Sequence, residues 1–143
     1  MSAPDTPAVP TQDERTMALL AHVLQMVGGF LPALIIFFIR DKSRFVRFHA
    51  VQVLLYQAAY LLFMVLFIIV WIGSIVGLAA TQAQSHGQPP AWFFLLFPLI
   101  WIGFFLAWIT TLVLSIMYGV KASRGEWAAY PVVGGWARRM LHL

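Results

Sequence analysis

Residues 91–120 read AWFFLLFPLIWIGFFLAWITTLVLSIMYGV, a run without a single charged side chain. At about 1.5 Å per residue, a helix of this length is more than long enough to cross a hydrocarbon core of about 30 Å. Residues 50–80, AVQVLLYQAAYLLFMVLFIIVWIGSIVGLAA, are also uncharged and contain no proline. The sequence therefore predicts membrane-spanning helices at about 50–80 and 91–120.

The composition of the whole chain agrees with a membrane environment. Of its 143 residues, 62% are hydrophobic and only 10% are charged, whereas about a quarter of the residues in soluble domains are charged. A soluble fold with so few charges would expose large apolar patches, which soluble monomers rarely do. We therefore predict an all-α integral membrane helical bundle, with residues 17–143 forming a single membrane domain.

A third hydrophobic segment, residues 17–39, precedes these two runs and is also long enough to span. Gly28, Gly29 and Pro32 lie in its middle, where glycine pairs and proline bend or break helices. The segment is either a kinked span or a re-entrant pair of half-helices. We favour the kinked span, because membrane helices tolerate glycine and proline when neighbours satisfy the freed backbone groups.

The two ends of the chain differ from its apolar middle. Residues 1–16 contain three prolines and almost no large apolar side chains, a composition typical of a disordered tail. Residues 121–143 combine Trp127, Tyr130 and Trp136 with arginines. Amphipathic aromatic and basic side chains gather in the headgroup region, so this end is predicted to be an interfacial tail with helical pieces.

The distribution of basic residues predicts the orientation. Eight of the nine Lys and Arg residues lie in residues 40–47 or after residue 120, and the connector 81–90 has none. Two crossings separate the basic regions, so both lie on one side, which the positive-inside rule makes the cytoplasm. This predicts a multi-pass protein with a cytoplasmic C-terminus, and the same rule explains the net charge of +4 without a nucleic-acid partner.

Small residues in the two spans predict where helices pack, since close backbone approach holds helices together in lipid. The candidate packing positions are Gly73, Gly77, Gly103, Ala107, Thr111, Ser115 and Gly119. In the third span these positions recur every four residues, along one side of the helix. They form either a seam within the chain, which we favour, or the face of a homodimer.

Basic, aromatic and polar residues cluster where the second helix begins. The candidate docking residues are Lys42, Arg44, Phe45, Arg47, Phe48, His49 and Gln52. One interpretation is a docking site for anionic lipid headgroups or a partner protein. The other, which we favour, is an ordinary positive-inside anchor in which His49 is hydrogen-bonded to a loop carbonyl.

Two polar residues, His22 and Gln25, lie on one face of the first segment. Hydrogen bonding between helices is the favoured interpretation, and a transport or proton-transfer role is the alternative. The four histidines are scattered and there is no cysteine, so we expect no metal site and no cofactor. Glu126 is the only acidic residue after Asp41, and without paired acids and bases we expect no enzymatic activity.

Residues 41–50, DKSRFVRFHA, followed by Gln52, resemble a family of small prokaryotic membrane proteins. That family is described as similar to the twenty-kilodalton subunit of the chloroplast Tic import translocon. The resemblance covers about residues 13–140 and includes two further pieces: residues 13–15 (DER) leading into 21–22 (AH), and residues 130–134 (YPVVG). It implies location in the cytoplasmic (inner) membrane of a prokaryote, and through the chloroplast relative it implies a protein-conducting channel.

Two functional hypotheses follow from these patterns. The first is a non-enzymatic accessory or scaffold subunit of a larger membrane assembly, with membrane lipids and a membrane-protein partner or further copies of itself as partners. The alternative is a small channel or protein-translocation component. A pore needs a polar stripe along its helices, and the uncharged runs 50–80 and 91–120 have almost none, which favours the first hypothesis.

Overall fold

The computed structural model describes residues 9–84 and 89–142, and within these residues the chain is α-helical with no strand. The helices of the described part are α1 Gln12–Gly28, α2 Leu31–Ile39, α3 Arg44–Gln84, α4 Ala91–Ser123 and α5 Val133–Met140. They confirm the all-α class for the part of the chain that is described.

The helices divide between two compact units. The first unit contains the described residues up to Gln57 together with those from Leu112 onward, and the second unit is Ala58–Thr111. Helices α1, α2 and α5 therefore belong to the first unit, which also holds one end of α3 and one end of α4.

Among the described residues, two helices are long and apolar enough to cross a membrane, namely Arg44–Ala83 within α3 and Ala91–Ser123, which is α4. Almost none of their most hydrophobic stretches is buried inside the protein. By length and composition they support the spans predicted at 50–80 and 91–120. Part of the predicted connector 81–90 is helical, because α3 continues to Gln84, and residues 85–88 lie outside the described residues.

The first hydrophobic segment, residues 17–39, is not one continuous helix. It contains the end of α1 and all of α2, which pack against each other. A third membrane span, our favoured prediction, is therefore not shown. The break has a local cause. The backbone of Gly29 adopts φ 59°, a conformation that residues other than glycine rarely adopt. Pro32 lies in the first turn of α2, where proline is tolerated.

Helix α1 begins inside the stretch predicted to be a disordered tail. Its first residue is Gln12, so residues 12–16 are helical, while residues 1–8 lie outside the described residues. A capping box accounts for this start. The backbone N–H of Glu14 donates to Thr11 Oγ1 at 3.3 Å, and the backbone N–H of Thr11 donates to Glu14 Oε2 at 2.7 Å. Two backbone donors that the helix leaves free are thus satisfied.

The apolar core of the first unit is built largely from small residues on α1, α2, α3 and α4. Its fully buried members are Ala18, Ala21, Ala33, Val46, Ala50, Val53 and Ala122. Alanine allows helix backbones to approach closely, so short helices can pack tightly here without a long apolar face.

The predicted interfacial tail, residues 121–143, contains the end of α4, a connecting segment and α5. The turn before α5 is tight, since a Cβ added to Gly134 would lie 2.5 Å from the Cβ of Ala129. Helix α5 packs through Ala137 onto Phe48 and Val51 of α3. This end of the chain is therefore part of the packed first unit.

In the second unit, aromatic side chains of α3 and α4 contact each other. The ring of Phe67 lies 5.1 Å from that of Phe104 and 6.1 Å from that of Trp101. The predicted small-residue packing is not seen at Gly73 or Gly103, where an added Cβ would meet no atom within 4 Å.

The other predicted packing positions have closer neighbours. Gly77 faces the Trp92 ring, with 3.6 Å between an added Cβ and that ring. Thr111 is buried and its hydroxyl donates to the carbonyl of Ala107 on its own helix. In the first unit, Gly119 lies directly against α1, since an added Cβ would be 3.1 Å from Leu19 Cδ1.

Candidate functional site

Polar side chains from four parts of the chain meet in the interior of the first unit. We call them the buried polar cluster, and its members are His22, Gln25, His49, Gln52, Ser115 and Tyr130. Helix α1 supplies the first two, α3 the next two and α4 the serine, while Tyr130 comes from the segment between α4 and α5. Buried polar groups are costly unless they are hydrogen-bonded, so the partners of each member determine what the cluster can do.

The two histidines form a hydrogen-bonded pair whose direction can be deduced. His49 Nε2 lies 3.2 Å from the backbone carbonyl of Glu126, and a carbonyl can only accept. His49 Nε2 must therefore carry a hydrogen. Both rings are fully buried with no carboxylate beside them, and an unpaired buried charge is costly, so the rings are neutral. In a neutral ring with Nε2 protonated, Nδ1 is an acceptor. His22 Nε2, 3.0 Å away, donates to it.

The direction continues from His22 to the residues around it. Because His22 Nε2 carries the hydrogen, His22 Nδ1 accepts from the Tyr130 hydroxyl at 2.8 Å. That hydroxyl in turn accepts from Gln25 Nε2 at 3.2 Å, and the same amide nitrogen donates to Ser115 Oγ at 2.8 Å. Gln57 Nε2 donates to Gln25 Oε1 at 3.3 Å. The bonds therefore run in one direction through neutral imidazoles, with every ring nitrogen engaged.

Gln52 attaches the segment before α5 to α3. The backbone N–H of Tyr130 donates to Gln52 Oε1 at 2.6 Å, and Gln52 Nε2 donates to the carbonyl of Ala128 at 3.2 Å. One amide side chain thus replaces the backbone partners that this non-helical segment lacks, as buried backbone groups require.

Aromatic rings enclose the cluster. Tyr118 and Tyr130 meet edge to face with 4.3 Å between ring centroids, and the Phe45 ring lies 4.7 Å from that of His49. Burial raises the pKa of Tyr130 above its ordinary value, although the Gln25 amide opposes this shift. The Tyr130 hydroxyl therefore stays protonated and remains able to donate to His22.

The chemistry available to this cluster is hydrogen bonding. It contains no carboxylate and no thiol, and the histidine nitrogens that face each other already share a hydrogen bond. Among the residues the structure describes, no group of three or more His, Cys, Asp or Glu side chains could hold a metal ion. The arrangement joins α1, α3, α4 and the segment before α5.

The structure divides the predicted docking residues into two groups. Phe45, Phe48, His49 and Gln52 are buried, so they are not available to a lipid or a partner protein in this arrangement. The exposed members are Lys42 and Arg44, and Arg47 is half-buried. His49 donates to the backbone carbonyl of Glu126, which is the hydrogen bond to a loop carbonyl that the positive-inside anchor interpretation predicts.

A second set of polar contacts lies at the start of α1. Ser43 Oγ donates to Glu14 Oε1 at 2.6 Å, and Arg40 forms an ion pair with Asp13 at 2.6 Å. The hydrogen bond from Ser43, followed by that from the Thr11 backbone, lowers the pKa of the Glu14 carboxyl. These contacts attach the start of α1 to the loop between α2 and α3.

The comparisons with known proteins identify the family. A model of the magnetosome magnetite crystal formation protein family matches residues 13–137. The chain belongs to this family. No curated protein and no solved structure matches this chain.

Membership in this prokaryotic magnetosome family refines the resemblance described above. The chain is a small prokaryotic membrane protein, as predicted, but the comparisons give no support to a similarity with the chloroplast Tic subunit. A membrane location agrees with the family and with the two candidate spans. The side of the membrane that holds the C-terminus stays a prediction.

The stretch matched by the magnetosome family includes the whole buried polar cluster. For two of its members the sequence alone indicates other roles: Tyr130 is predicted to be an interfacial aromatic residue and Ser115 a small packing residue. Tyr130 is 108 positions from its partner His22, and Ser115 is 90 positions from Gln25. No local pattern links residues so far apart, whereas the T-x-x-E capping box at Thr11 was a usable local signal.

The Glu14 contact predicts an acid-dependent stability. The folded protein holds this pKa below its ordinary value of 4.5, so the carboxylate stabilises the fold above that pH, and the stabilisation is lost as pH falls through the lower, folded value. At pH 7 we expect Glu14→Gln to cost about 1 kcal/mol, because glutamine has one acceptor oxygen where Glu14 uses two, for the donors of Thr11 and Ser43.

Unfolding temperatures in detergent at several pH values test this expectation. The difference between wild type and Glu14→Gln should shrink below about pH 4.5. Glu126→Gln, which removes an exposed carboxylate from the same unit, is the charge control. A difference that is constant with pH, or equal in the control, contradicts a role for the Glu14 carboxylate.

Proposed function

We propose that this chain takes part in magnetite crystal formation as a non-enzymatic accessory or scaffold protein of the magnetosome membrane. The observation that carries the proposal is the family match over residues 13–137, which includes both candidate spans and the buried polar cluster. The two long apolar helices would hold the protein in the membrane, and the first unit would supply its contacts with other components.

The chemistry of the described residues supports a non-enzymatic role. Catalysis requires positioned acids, bases or nucleophiles that can reach a substrate. Here the histidines of the buried polar cluster are fully buried and their nitrogens are engaged within the chain. A structural use of these groups accounts for every hydrogen bond they make.

The distribution of acidic residues supports an organising role over direct coordination of iron. Protein sites for iron commonly combine histidine with carboxylate ligands, and the chain has only five acidic residues. Of these, Asp13 pairs with Arg40, and Glu14 accepts from Ser43 and Thr11. The proposal therefore places this protein among the components that arrange the membrane or its proteins around the crystal.

Deletion and complementation in a magnetosome-forming bacterium that carries this gene test the proposal. Electron microscopy should show a changed size or number of magnetite crystals in the deletion strain, restored by the wild-type gene. Gly119→Leu, at a crowded helix contact, should fail to restore them, whereas Gly103→Leu, on the same helix but in open space, should succeed. Normal crystals in the deletion strain would overturn the proposal.

Purification in a mild detergent tests the accessory or scaffold role separately. A second membrane protein in fixed stoichiometry, or a defined homo-oligomer, is the expected result by mass spectrometry. Recovery of a bare monomer at every protein and detergent concentration tried would contradict a role that depends on assembly.

A further inference from the structure

Two basic stretches that are far apart in the sequence meet on the surface of the first unit. Arg44 Nη2, at the start of α3, donates to the backbone carbonyl of His142 at 3.4 Å. The guanidinium of Arg138 on α5 lies 5.8 Å from the centre of the Phe48 ring on α3. Helix α5 therefore packs beside the first turns of α3 and brings their arginines together.

These arginines form what we call the basic face, whose members are Arg44, Arg47, Arg138 and Arg139. All are exposed except Arg47, which is half-buried and lies over the Phe37 ring. Neither α3 nor α5 contains an acidic residue. Along the chain, the nearest carboxylate to Arg44 and Arg47 is Asp41 and the nearest to Arg138 and Arg139 is Glu126. The four arginines outnumber these two acidic residues.

Helix α5 also exposes large apolar side chains beside these arginines. Its small residues Gly134 and Ala137 are buried against the unit, while Trp136 is 57% and Met140 62% exposed. A short helix with arginines and a tryptophan on its outer side is typical of segments that lie in a membrane interface. Tryptophan in particular prefers the headgroup level of a bilayer.

The position of α5 along the chain places it near a membrane. Helix α4, one of the two candidate spans, ends at Ser123, and α5 begins ten residues later at Val133. An acidic protein could also attract the arginines, but it would not account for the exposed tryptophan and methionine beside them. A surface with negative headgroups above an apolar layer accounts for both.

We propose that the basic face, with Trp136 and Met140 of α5, binds the headgroups of anionic phospholipids. The arginines would contact the phosphates, and the two apolar side chains would enter the boundary between headgroups and acyl chains. This assignment differs from the docking site predicted within residues 42–52, because it adds residues of α5 and because the buried Phe45, Phe48, His49 and Gln52 do not take part.

Native mass spectrometry of the full chain in mild detergent tests this assignment, with equimolar phosphatidylglycerol and phosphatidylcholine as the added lipids. The wild type should carry at least threefold more phosphatidylglycerol than phosphatidylcholine. Arg139→Gln and Arg44→Gln should each reduce that excess at least twofold. Arg124→Gln, which removes an exposed arginine outside the basic face, is the matched control and should leave it unchanged.

Further measurements keep folding and binding apart. Arg44 touches the His142 carbonyl, so its variant could loosen α5. Arg139 is exposed, and its variant should keep the wild-type unfolding temperature while losing lipid preference. Equal binding of the two lipids by the wild type would overturn the proposal. An equal loss of lipid preference in Arg124→Gln would also overturn it, because that would show an effect of total charge. Binding of an acidic protein at this face in place of lipid would overturn it as well.

Discussion

Replacing Gly119 with leucine is expected to destabilise the first unit by about 3 kcal/mol, the upper part of the usual range for overpacking. An added Cβ alone would lie 3.1 Å from Leu19 Cδ1 and 3.3 Å from Val23 Cγ2, and it would meet His22 Cβ at 3.5 Å. The remaining atoms of leucine have no space unless α1 moves away from α4. Such a movement would also separate Gln25 from Ser115, which are joined across the same contact at 2.8 Å.

Gly103→Leu is the matched control for this substitution. It lies on the same helix, but an added Cβ there would meet no atom within 4 Å, so we expect a change within about 0.5 kcal/mol, as is usual for uncrowded surface positions. Thermal unfolding followed by circular dichroism in detergent compares the two variants. Equal effects at both positions would show that α1 does not pack on α4 at Gly119.

The second large effect is expected for His22→Leu, at about 2–6 kcal/mol. Leucine is close to histidine in size but cannot hydrogen-bond, so the Tyr130 hydroxyl loses its acceptor and His49 Nδ1 loses its donor. Each buried polar group left without a partner costs about 1–3 kcal/mol. The same unfolding measurement in detergent determines the loss.

A double-mutant cycle with Tyr130→Phe separates this effect from a general loss of packing. Once the Tyr130 hydroxyl is absent, His22→Leu no longer leaves it unpaired, so the double variant should lose less stability than the sum of the two single variants. Strict additivity would show that His22 and Tyr130 act independently, which would contradict the hydrogen-bonded chain through the buried polar cluster.

Much of the secondary structure follows from local sequence. The uncharged runs 50–80 and 91–120 have enough length and hydropathy to predict α3 and α4 without any knowledge of their neighbours. Gly28, Gly29 and Pro32 predict a bend or break between α1 and α2, because their effects act within one or two turns. The choice between a kinked span, which we favour, and a re-entrant pair of half-helices is not local, because it depends on what α1 and α2 contact.

The sequence contains a local signal for the start of α1, but the composition of residues 1–16 favours a disordered tail. The prolines in residues 1–16 indicated a tail, whereas the capping box between Thr11 and Glu14 begins a helix at Gln12. The box satisfies two backbone donors locally, and the contact with Ser43 adds a tertiary partner. That partner lies 29 positions away, beyond any helix periodicity.

Only the tertiary structure determined which polar residues are buried together and which stay at the surface. His49 and Arg44 belong to the same basic stretch, yet His49 is buried and hydrogen-bonded to His22 and to the Glu126 carbonyl, while Arg44 remains exposed beside α5. The physical reason is that helix formation depends on neighbours within a few positions. Burial and hydrogen-bond partners depend on segments 27 to 108 positions away, which the fold brings together.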